Sequence, residues 1–405
     1  MAEYQTLAVI AGFALLYSLV ASRLERTPVN GALVYVIVGF LCGSYVFGLI
    51  DVKIEGETLK TLAELTLALV LFTDSANINL ATLRRVELIP TRLLLIGLPL
   101  TILFGFGVAY LIFDSLGLFE IALLATMLAP TDAALGKAVV TNENVPDSVR
   151  ESLNVESGLN DGICVPVLLF FLALAAGQTD PDEAKSLVFT LPLQAIGIGA
   201  LVGTVGGVLG SQVLKFCAAR NWVADTWIQI PVIALALLCF GTSQWLGGSG
   251  FIACFVGGLL FGGLAKNHKG KYLDAAEGIG DLMMLVFWFL FGAAAIGLTW
   301  QFLDWRVIVY ALLSLTIIRI LPVFLCVFGL KLQFDTKLFV GWFGPRGLAS
   351  IVFIVMVLAE NLPGNNILLT TVTWTILLSV VLHGITANPL AKLYGSRFTG
   401  SKQKI

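Results

Sequence analysis

The sequence predicts an all-α integral membrane protein with about 13 transmembrane helices. Of its 405 residues, 58% are hydrophobic and only 12% are charged, whereas a soluble protein would carry about twice that charged fraction. The mean hydropathy is +0.93. The apolar residues also fall into runs of about 20, which is the length that an α-helix needs to cross a bilayer.

Short polar connections separate these apolar runs, and none of them is long enough to fold as a domain. The first run has neither a basic segment before it nor a cleavage signature after it, so we expect it to be retained as a span. The predicted spans lie near residues 4–22, 30–50, 59–78, 88–113, 117–140, 148–176, 186–216, 224–246, 249–265, 275–297, 305–330, 336–360 and 367–391.

The 24 Lys and Arg residues indicate the orientation of the chain. With this set of spans, 18 of them fall on the side of the C-terminus, four fall on the opposite side, and Arg319 and Arg346 lie inside spans. Cytoplasmic loops carry the excess of basic residues. We therefore expect a multi-pass protein of the cell (inner) membrane, with its C-terminus in the cytoplasm and its N-terminus outside.

The cysteines and histidines predict no cofactor site. The six cysteines are scattered without a Cys-x-x-Cys spacing, which is typical of free thiols. His268 and His383 are too far apart in the sequence to predict a ligand cluster.

Glycines recur at every fourth position of the seventh run, at Gly199, Gly203 and Gly207. Such spacing lets a second helix approach closely. That helix belongs either to the same subunit or to a second one, and the sequence favours neither alternative.

Polar residues occur in two neighbouring apolar runs. The fifth run contains Pro130-Thr131-Asp132, and the sixth contains Glu156-Ser157-Gly158-Leu159-Asn160-Asp161. An ionised side chain at bilayer depth costs at least about 2.5 kcal/mol, so such groups face a bundle interior or an aqueous cavity and mark ion or proton paths. The two runs therefore predict an ion site, and Pro130 predicts an interruption of the fifth span.

A second interruption is predicted in the twelfth span, over Gly341-Trp342-Phe343-Gly344-Pro345-Arg346-Gly347. The spans divide into six, a linker span and six more, so each interruption lies in the fifth span of its half. The two halves are offset by seven spans, and this odd number inverts the second half relative to the first. Interrupted helices at matching positions indicate an inverted-repeat transporter with its site near the midplane. Two ordinary proline kinks are the alternative.

The buried charges predict which groups pair. A cation is expected at the carbonyl end of one half-helix and an anion at the amide end of the other, and Arg346 and Asp132 lie at the two breaks. Arg319 cannot lose its proton to escape burial, and Glu156 is its best candidate partner. Two arginines against three carboxylates leave one carboxylate free to hold one proton or one monovalent cation.

Asp161 is the predicted exchanging group, because its neighbour Asn160 offers a neutral amide and no counter-charge. Burial favours the neutral form of a carboxyl group, so proton and cation would compete for the same oxygens. Hard cations prefer oxygen ligands. We expect the carboxylates of Asp161 and Asp132, the Ser157 hydroxyl and the freed Thr131 carbonyl to form the cation site, while Asn160 orients a neighbour.

Four other acids fall near span ends, where water reaches them. These are Glu64, Asp74, Glu277 and Asp281. We expect a solvated or funnel role for them and no direct contact with the ion.

These residues resemble a known family. Thr131-Asp132 in a broken span, the Glu156–Asp161 motif, Arg319 and Gly344-Pro345-Arg346-Gly347 are similar to the sodium/proton antiporters of monovalent cation:proton antiporter family 1. The resemblance covers essentially all of the membrane domain. It implies a transporter and no enzyme, which exchanges sodium, lithium or potassium for protons by alternating access. The Asn-Asp form of the motif implies electroneutral one-for-one exchange.

The resemblance further implies a homodimer in which a core moves against a dimerisation domain, with cation and proton as substrates and no nucleic acid or cofactor. The implied divisions are dimerisation helices in 1–87, core helices in 88–176, a linker and dimerisation helices in 177–302, core helices in 303–394 and a short cytoplasmic tail in 395–405. Cation and proton binding is assigned to Asp161, Asp132, Ser157, Thr131 and Glu156, supported by Asn160, Arg319 and Arg346. Whether Glu156 contacts the ion or only pairs with Arg319 stays open.

Animal members carry a long regulatory tail, which does not follow the last span here, so we expect a member of prokaryotic type. Two alternatives compete with antiport. A symporter of sodium and an organic anion can also use broken helices, but it would keep a larger and more neutral cavity. An intramembrane aspartyl protease could use Gly158-Leu159-Asn160-Asp161, but its Tyr-Asp pair does not occur in this chain.

Overall fold

A computed structural model describes residues 2–24, 30–51, 57–78, 88–132, 135, 139, 145–177, 181–224, 226–228, 230–264 and 269–402. This part of the chain is almost entirely helical, as predicted. Its helical segments are α1 (Ala2–Leu24), α2 (Gly31–Cys42), α3 (Glu57–Asn77), α4 (Leu88–Ile112), α5 (Leu118–Met127), α6 (Asp147–Ala175), α7 (Pro181–Ala219), α8 (Ile230–Trp245), α9 (Gly250–Leu264), α10 (Lys269–Trp300), α11 (Trp305–Cys326), α12a (Phe334–Trp342), α12b (Leu348–Leu358) and α13 (Asn365–Lys402).

Seven of these helices contain stretches long and apolar enough to cross a bilayer, and they are α1, α4, α6, α7, α10, α11 and α13. Five shorter apolar helices accompany them: α2, α5, α8, α9 and α12b. With the two halves of α12 counted as one segment, the described residues form the thirteen segments that the sequence predicts. Several basic residues of the orientation argument lie outside the described residues, namely Arg26, Lys53, Arg84, Arg85, Lys137, Lys266 and Lys404.

Two predicted boundaries are wrong by eight residues or more. The second span is predicted to reach residue 50, but α2 ends at Cys42, because the turn that follows places Gly48 at a φ of +61° and pairs Gly43 with Ile50. The last span is predicted to end near 391, but α13 continues to Lys402. Most of the predicted tail, residues 395–405, is therefore helical. Polar residues end the apolar run, but they do not end the helix.

Both predicted helix breaks are present. α5 ends at Met127, three residues before Pro130, and the twelfth segment is interrupted between Trp342 and Leu348. The continuation of the fifth segment beyond Asp132 lies largely outside the described residues.

Two further irregularities have no counterpart in the sequence prediction. α4 contains a π-helical turn at Leu93–Gly97, and α11 is interrupted at Thr316, whose φ and ψ are −117° and −91°. The Thr316 hydroxyl donates to the Leu312 carbonyl over 2.6 Å, a back-bonding that often bends helices. This interruption places Arg319 in the first turn of the second half of α11.

The glycines of α7 pack against α9 in the same chain. A Cβ added at Gly203 would lie 2.5 Å from the Ala253 carbonyl oxygen, and one added at Gly207 would lie 2.5 Å from that of Gly257. Only glycine permits this approach. The structure thus favours the first of the two alternatives, packing within the subunit.

α12b lies inside the bundle, where it contacts α3, α5, α6 and α13. All eleven of its residues are buried, as expected for a helix that is apolar on every side. Its first turn follows directly after the second break, so the break is held in the protein interior beside α5 and α6.

Candidate functional site

The two helix breaks cross each other. The backbone amide of Asp132 in the first break donates to the carbonyl of Pro345 in the second over 2.8 Å. A broken helix leaves amides and carbonyls unpaired at its ends, and inside a membrane these groups need protein partners or a water-lined cavity. Each break supplies such partners for the other.

The carbonyl end of α5 and the residues that follow it are capped by Arg346 of the second break and by Ser350 of α12b. Arg346 is fully buried, and its Nη1 donates to the carbonyls of Ala129 and Pro130 over 2.8 and 3.1 Å. The Ser350 hydroxyl donates to the Met127 carbonyl over 2.7 Å. A cation thus lies at the carbonyl end of a half-helix, where the helix dipole favours it.

The amide end of α12b is capped by the first break. The Asp132 Oδ2 accepts from the Leu348 amide over 3.0 Å, and its Oδ1 accepts from the Leu135 amide over 3.4 Å. A Cβ added at Gly347 would overlap the Asp132 carboxylate, so glycine at this position makes the contact possible. An anion at an amide end is again the favoured arrangement.

The predicted pair of Glu156 and Arg319 is present as a bidentate ion pair between α6 and α11. The guanidinium nitrogens lie 2.5 and 2.7 Å from the two carboxylate oxygens. Both side chains are only 3% exposed. Because each Glu156 oxygen accepts from Arg319, the two charges compensate each other away from water.

Ser157 and Asn160 of α6 both bond to Thr131. The Ser157 hydroxyl donates to the Thr131 carbonyl over 2.8 Å, and the Asn160 Nδ2 donates to the Thr131 hydroxyl over 2.7 Å. Asn160 therefore orients a neighbour, as its sequence context predicts. Two oxygens named as cation ligands, Ser157 Oγ and Thr131 O, lie close enough to share one ion.

Asp161 lies one helical turn after Ser157 and is half-buried. Its Oδ1 is shielded from solvent and has no hydrogen-bond partner among the residues that the structure describes. The nearby charges that act on it are those of Asp132 and Asp74, both negative. Since Arg319 pairs with Glu156 and Arg346 with the α5 carbonyls, Asp161 is the least compensated carboxylate of the cluster.

A family model described as "Sodium/hydrogen exchanger, transmembrane" matches residues 10–393 of this chain. The chain belongs to the sodium/hydrogen exchanger family. The predicted family is thereby confirmed, and neither the symporter nor the protease alternative is favoured.

Among the relatives of this exchanger, a Na(+)/H(+) antiporter of Schizosaccharomyces pombe is 26% identical over 319 residues, which are 70% of this chain and 67% of the relative. The K(+)/H(+) antiporter NhaP2 of Shewanella sp. (strain MR-4) is 25% identical over 398 residues, which are 95% of this chain and 66% of the relative. The chain thus spans about two thirds of the length of these relatives.

A solved structure shares the fold of this exchanger. It is that of the sodium proton antiporter MjNhaP1 from Methanocaldococcus jannaschii at pH 8, with a TM-score of 0.76 and 21% sequence identity. The match covers 95% of this chain and all of the other. The agreement supports the helical architecture.

Asp74 of this exchanger is one of the acids near span ends for which the sequence predicts a solvated or funnel role. Its side chain is exposed on α3, yet the charges of Asp132, Glu277 and Asp281 act on it, and it acts on Asp161. An exposed side chain is the arrangement that a solvated role requires. Its signal in the sequence is an aspartate within the apolar run of α3, three residues before the helix ends at Asn77.

Glu120 was missed entirely. It is buried at the start of α5, where its oxygens accept from the amides of Gly117 over 2.8 Å and Gly364 over 2.7 Å. The carboxylate thereby joins the beginning of α5 to the residue before α13. An acid in the first turn of a helix is a common capping signal, but the partner more than 200 residues away has no local signature.

Proposed function

We propose that the protein exchanges a monovalent cation (sodium, lithium or potassium) for a proton across the membrane. The observation that carries this proposal is the Asp161 Oδ1, which has no hydrogen-bond partner among the described residues. Asp161 lies one helical turn after Ser157, whose hydroxyl donates to the Thr131 carbonyl over 2.8 Å. A carboxylate without a counter-charge gains a partner by binding either a proton or a cation. Competition for the same oxygens couples the two fluxes.

One carboxylate available for exchange sets the stoichiometry of the proposal at one cation for one proton. Glu156 and Arg319 neutralise each other, and Asn160 beside Asp161 is neutral. Binding a proton or a monovalent cation then gives the site the same net charge. The proposed exchange is therefore electroneutral.

The proposed cation ligands are the carboxylates of Asp161 and Asp132, the Ser157 hydroxyl and the Thr131 carbonyl. All are oxygens, as hard cations prefer. The Asp132 carboxylate also accepts from the Leu348 amide, so its position is fixed by the amide end of α12b. Glu156 is assigned to the pair with Arg319, because both of its oxygens already accept hydrogen bonds.

Alternating access requires one part of the protein to move against another. We propose that the helices of 88–176 and 303–394 form the moving core, since these segments contain both breaks and every residue of the site. The helices of 1–87 and 177–302 would form a homodimeric scaffold in the cell membrane. The N-terminus would lie outside and the C-terminus in the cytoplasm.

The experiment that tests this function is a proton-flux assay in proteoliposomes with an imposed pH gradient. Addition of sodium, lithium or potassium to wild-type protein is expected to dissipate the gradient, and the order of the three ions gives the preference. D161N is expected to abolish the response. The matched control is D147N on the same helix, where Asp147 is exposed and pairs with Arg150. Exchange retained in D161N, or absent from wild type with all three ions, would refute the proposal.

A further inference from the structure

The carbonyl end of α12a is capped by a residue to which the proposed exchange gives no role. Trp342 is the last residue of α12a, and its carbonyl oxygen lies 2.9 Å from Nε2 of His383 on α13. His383 is 1% exposed. Its ring lies at the carbonyl end of this half-helix, where the helix ladder has ended and where the Trp342 carbonyl also accepts from the Gly344 amide over 2.8 Å.

The second ring nitrogen of His383 faces Ser379, one turn earlier on α13. Nδ1 lies 3.3 Å from the Ser379 hydroxyl and 2.9 Å from its carbonyl. Both ring nitrogens thus face a backbone carbonyl at 2.9 Å. Because a carbonyl only accepts, the nitrogen that carries the proton donates to the carbonyl that it faces. The ring fills the space between the end of α12a and the preceding turn of α13.

Ser379 extends the chain of hydrogen bonds across the break. Its hydroxyl oxygen accepts from the backbone amide of Arg346 over 2.7 Å. Polar contacts therefore run from the Arg346 amide to Ser379, from Ser379 to His383, and from His383 to the Trp342 carbonyl. One helix, α13, thus holds the residues on both sides of the second break.

We propose that His383 and Ser379 are positioning residues for cation exchange, an inference that rests on the proposed function. They fix the path of the backbone between Trp342 and Arg346. That path determines where the Arg346 guanidinium meets the α5 carbonyls and where the Leu348 amide meets Asp132. Small displacements of a binding group cost much of its effect, so loosening the break displaces oxygens of the proposed cation site.

The test measures the apparent KM for sodium and the maximal exchange rate of single variants in proteoliposomes. H383A and S379A are each expected to raise the KM by about tenfold. The double variant is expected to resemble the single ones, because residues of one network are not additive. H383Q retains an amide donor that can reach the Trp342 carbonyl, and its KM is expected to stay within about twofold of wild type.

A matched control lies on the same pair of helices. The Trp342 indole N–H donates to the Thr386 hydroxyl over 3.0 Å, one turn after His383 on α13. T386V removes this bond and is expected to leave the KM unchanged. The packing between α12a and α13 also includes the stacked rings of Trp342 and His383, whose centroids are 5.1 Å apart. A general loss of this packing would affect T386V and H383A alike.

Two results would overturn the inference: an unchanged KM in folded H383A and S379A, or an equal rise in T386V. If H383A fails to fold, S379A and T386V decide between the same outcomes, with thermal unfolding as the check on folding. Wild-type protein without any cation-dependent proton flux would refute the proposed function itself. Wild-type exchange with no effect of either variant would refute only the positioning role.

Discussion

Neutralising one member of the Glu156–Arg319 pair should destabilise the protein strongly and in a pH-dependent way. The two side chains are 3% exposed and joined by bonds of 2.5 and 2.7 Å. E156Q leaves a guanidinium in the interior with no counter-charge, and such a change costs about 3–5 kcal/mol. R319M leaves a carboxyl group instead, which can take up a proton, whereas the guanidinium cannot lose one.

The losses in the free energy of unfolding of E156Q and R319M should therefore respond differently to pH. In R319M the folded protein favours the neutral form of Glu156, so folding takes up a proton. The loss in the free energy of unfolding of R319M therefore becomes smaller as the pH falls. In E156Q the deficit should stay constant over the same range. The charge swap E156R/R319E should recover part of the loss, with a coupling of about 2 kcal/mol.

The assay is equilibrium unfolding of purified protein in detergent between pH 5 and 8 for the two single variants and the swap. D147N serves as the control, because Asp147 is 83% exposed in its pair with Arg150 and such surface pairs contribute about 0–1 kcal/mol. If E156Q lowers the free energy of unfolding by less than about 1 kcal/mol, the Glu156–Arg319 pair is not a desolvated contact. Parallel pH responses of E156Q and R319M would refute the reasoning about the proton.

Three further predictions concern the crossing and the competition at the site. G347A places a methyl group against the Asp132 carboxylate and should lower the exchange rate by about a hundredfold. G107A has open space at its Cβ and should retain the wild-type rate. Equal activity of the two variants would contradict the role of Gly347. S350A leaves the Met127 carbonyl unpaired and should lower the free energy of unfolding by about 1–3 kcal/mol, and a wild-type unfolding curve would exclude this cap. The apparent KM for the cation should rise as the pH falls, because the carboxyl ligand must lose its proton before it binds the cation. The rise should approach about tenfold per pH unit while the maximal rate stays constant. A KM independent of pH would rule out direct competition.

The features that the sequence predicts well are those whose energetic cost is high in a membrane. Pro130 and the Gly344–Gly347 segment cannot continue a helix, so both breaks are predictable from local residues. Glu156 and Arg319 lie in apolar runs where an unpaired charge is too costly, so their pairing follows although they are 163 residues apart. For the same reason the capping roles of Asp132 and Arg346 follow from their positions at the breaks.

Contacts that depend on how the helices cross could not be predicted. The cap of Trp342 by His383 joins residues 41 positions apart, and a lone histidine in an apolar run gives no information about its partner. The interruption at Thr316 involves neither proline nor glycine at that position, and threonine is common in intact helices. Asp74 lies near the end of α3, and the packing of α3 against α6 and α12b has no local signal in the sequence.

The central claim is that one carboxyl group, Asp161, holds either a proton or a cation and never both. Titration calorimetry of sodium binding to the purified protein, repeated in buffers of different ionisation enthalpy, measures the number of protons released per ion bound. Below the pH at which the site loses its proton, we expect a release approaching about one proton per cation, and no binding by D161N. Sodium binding without proton release throughout the pH range, or unchanged binding by D161N, would contradict the claim.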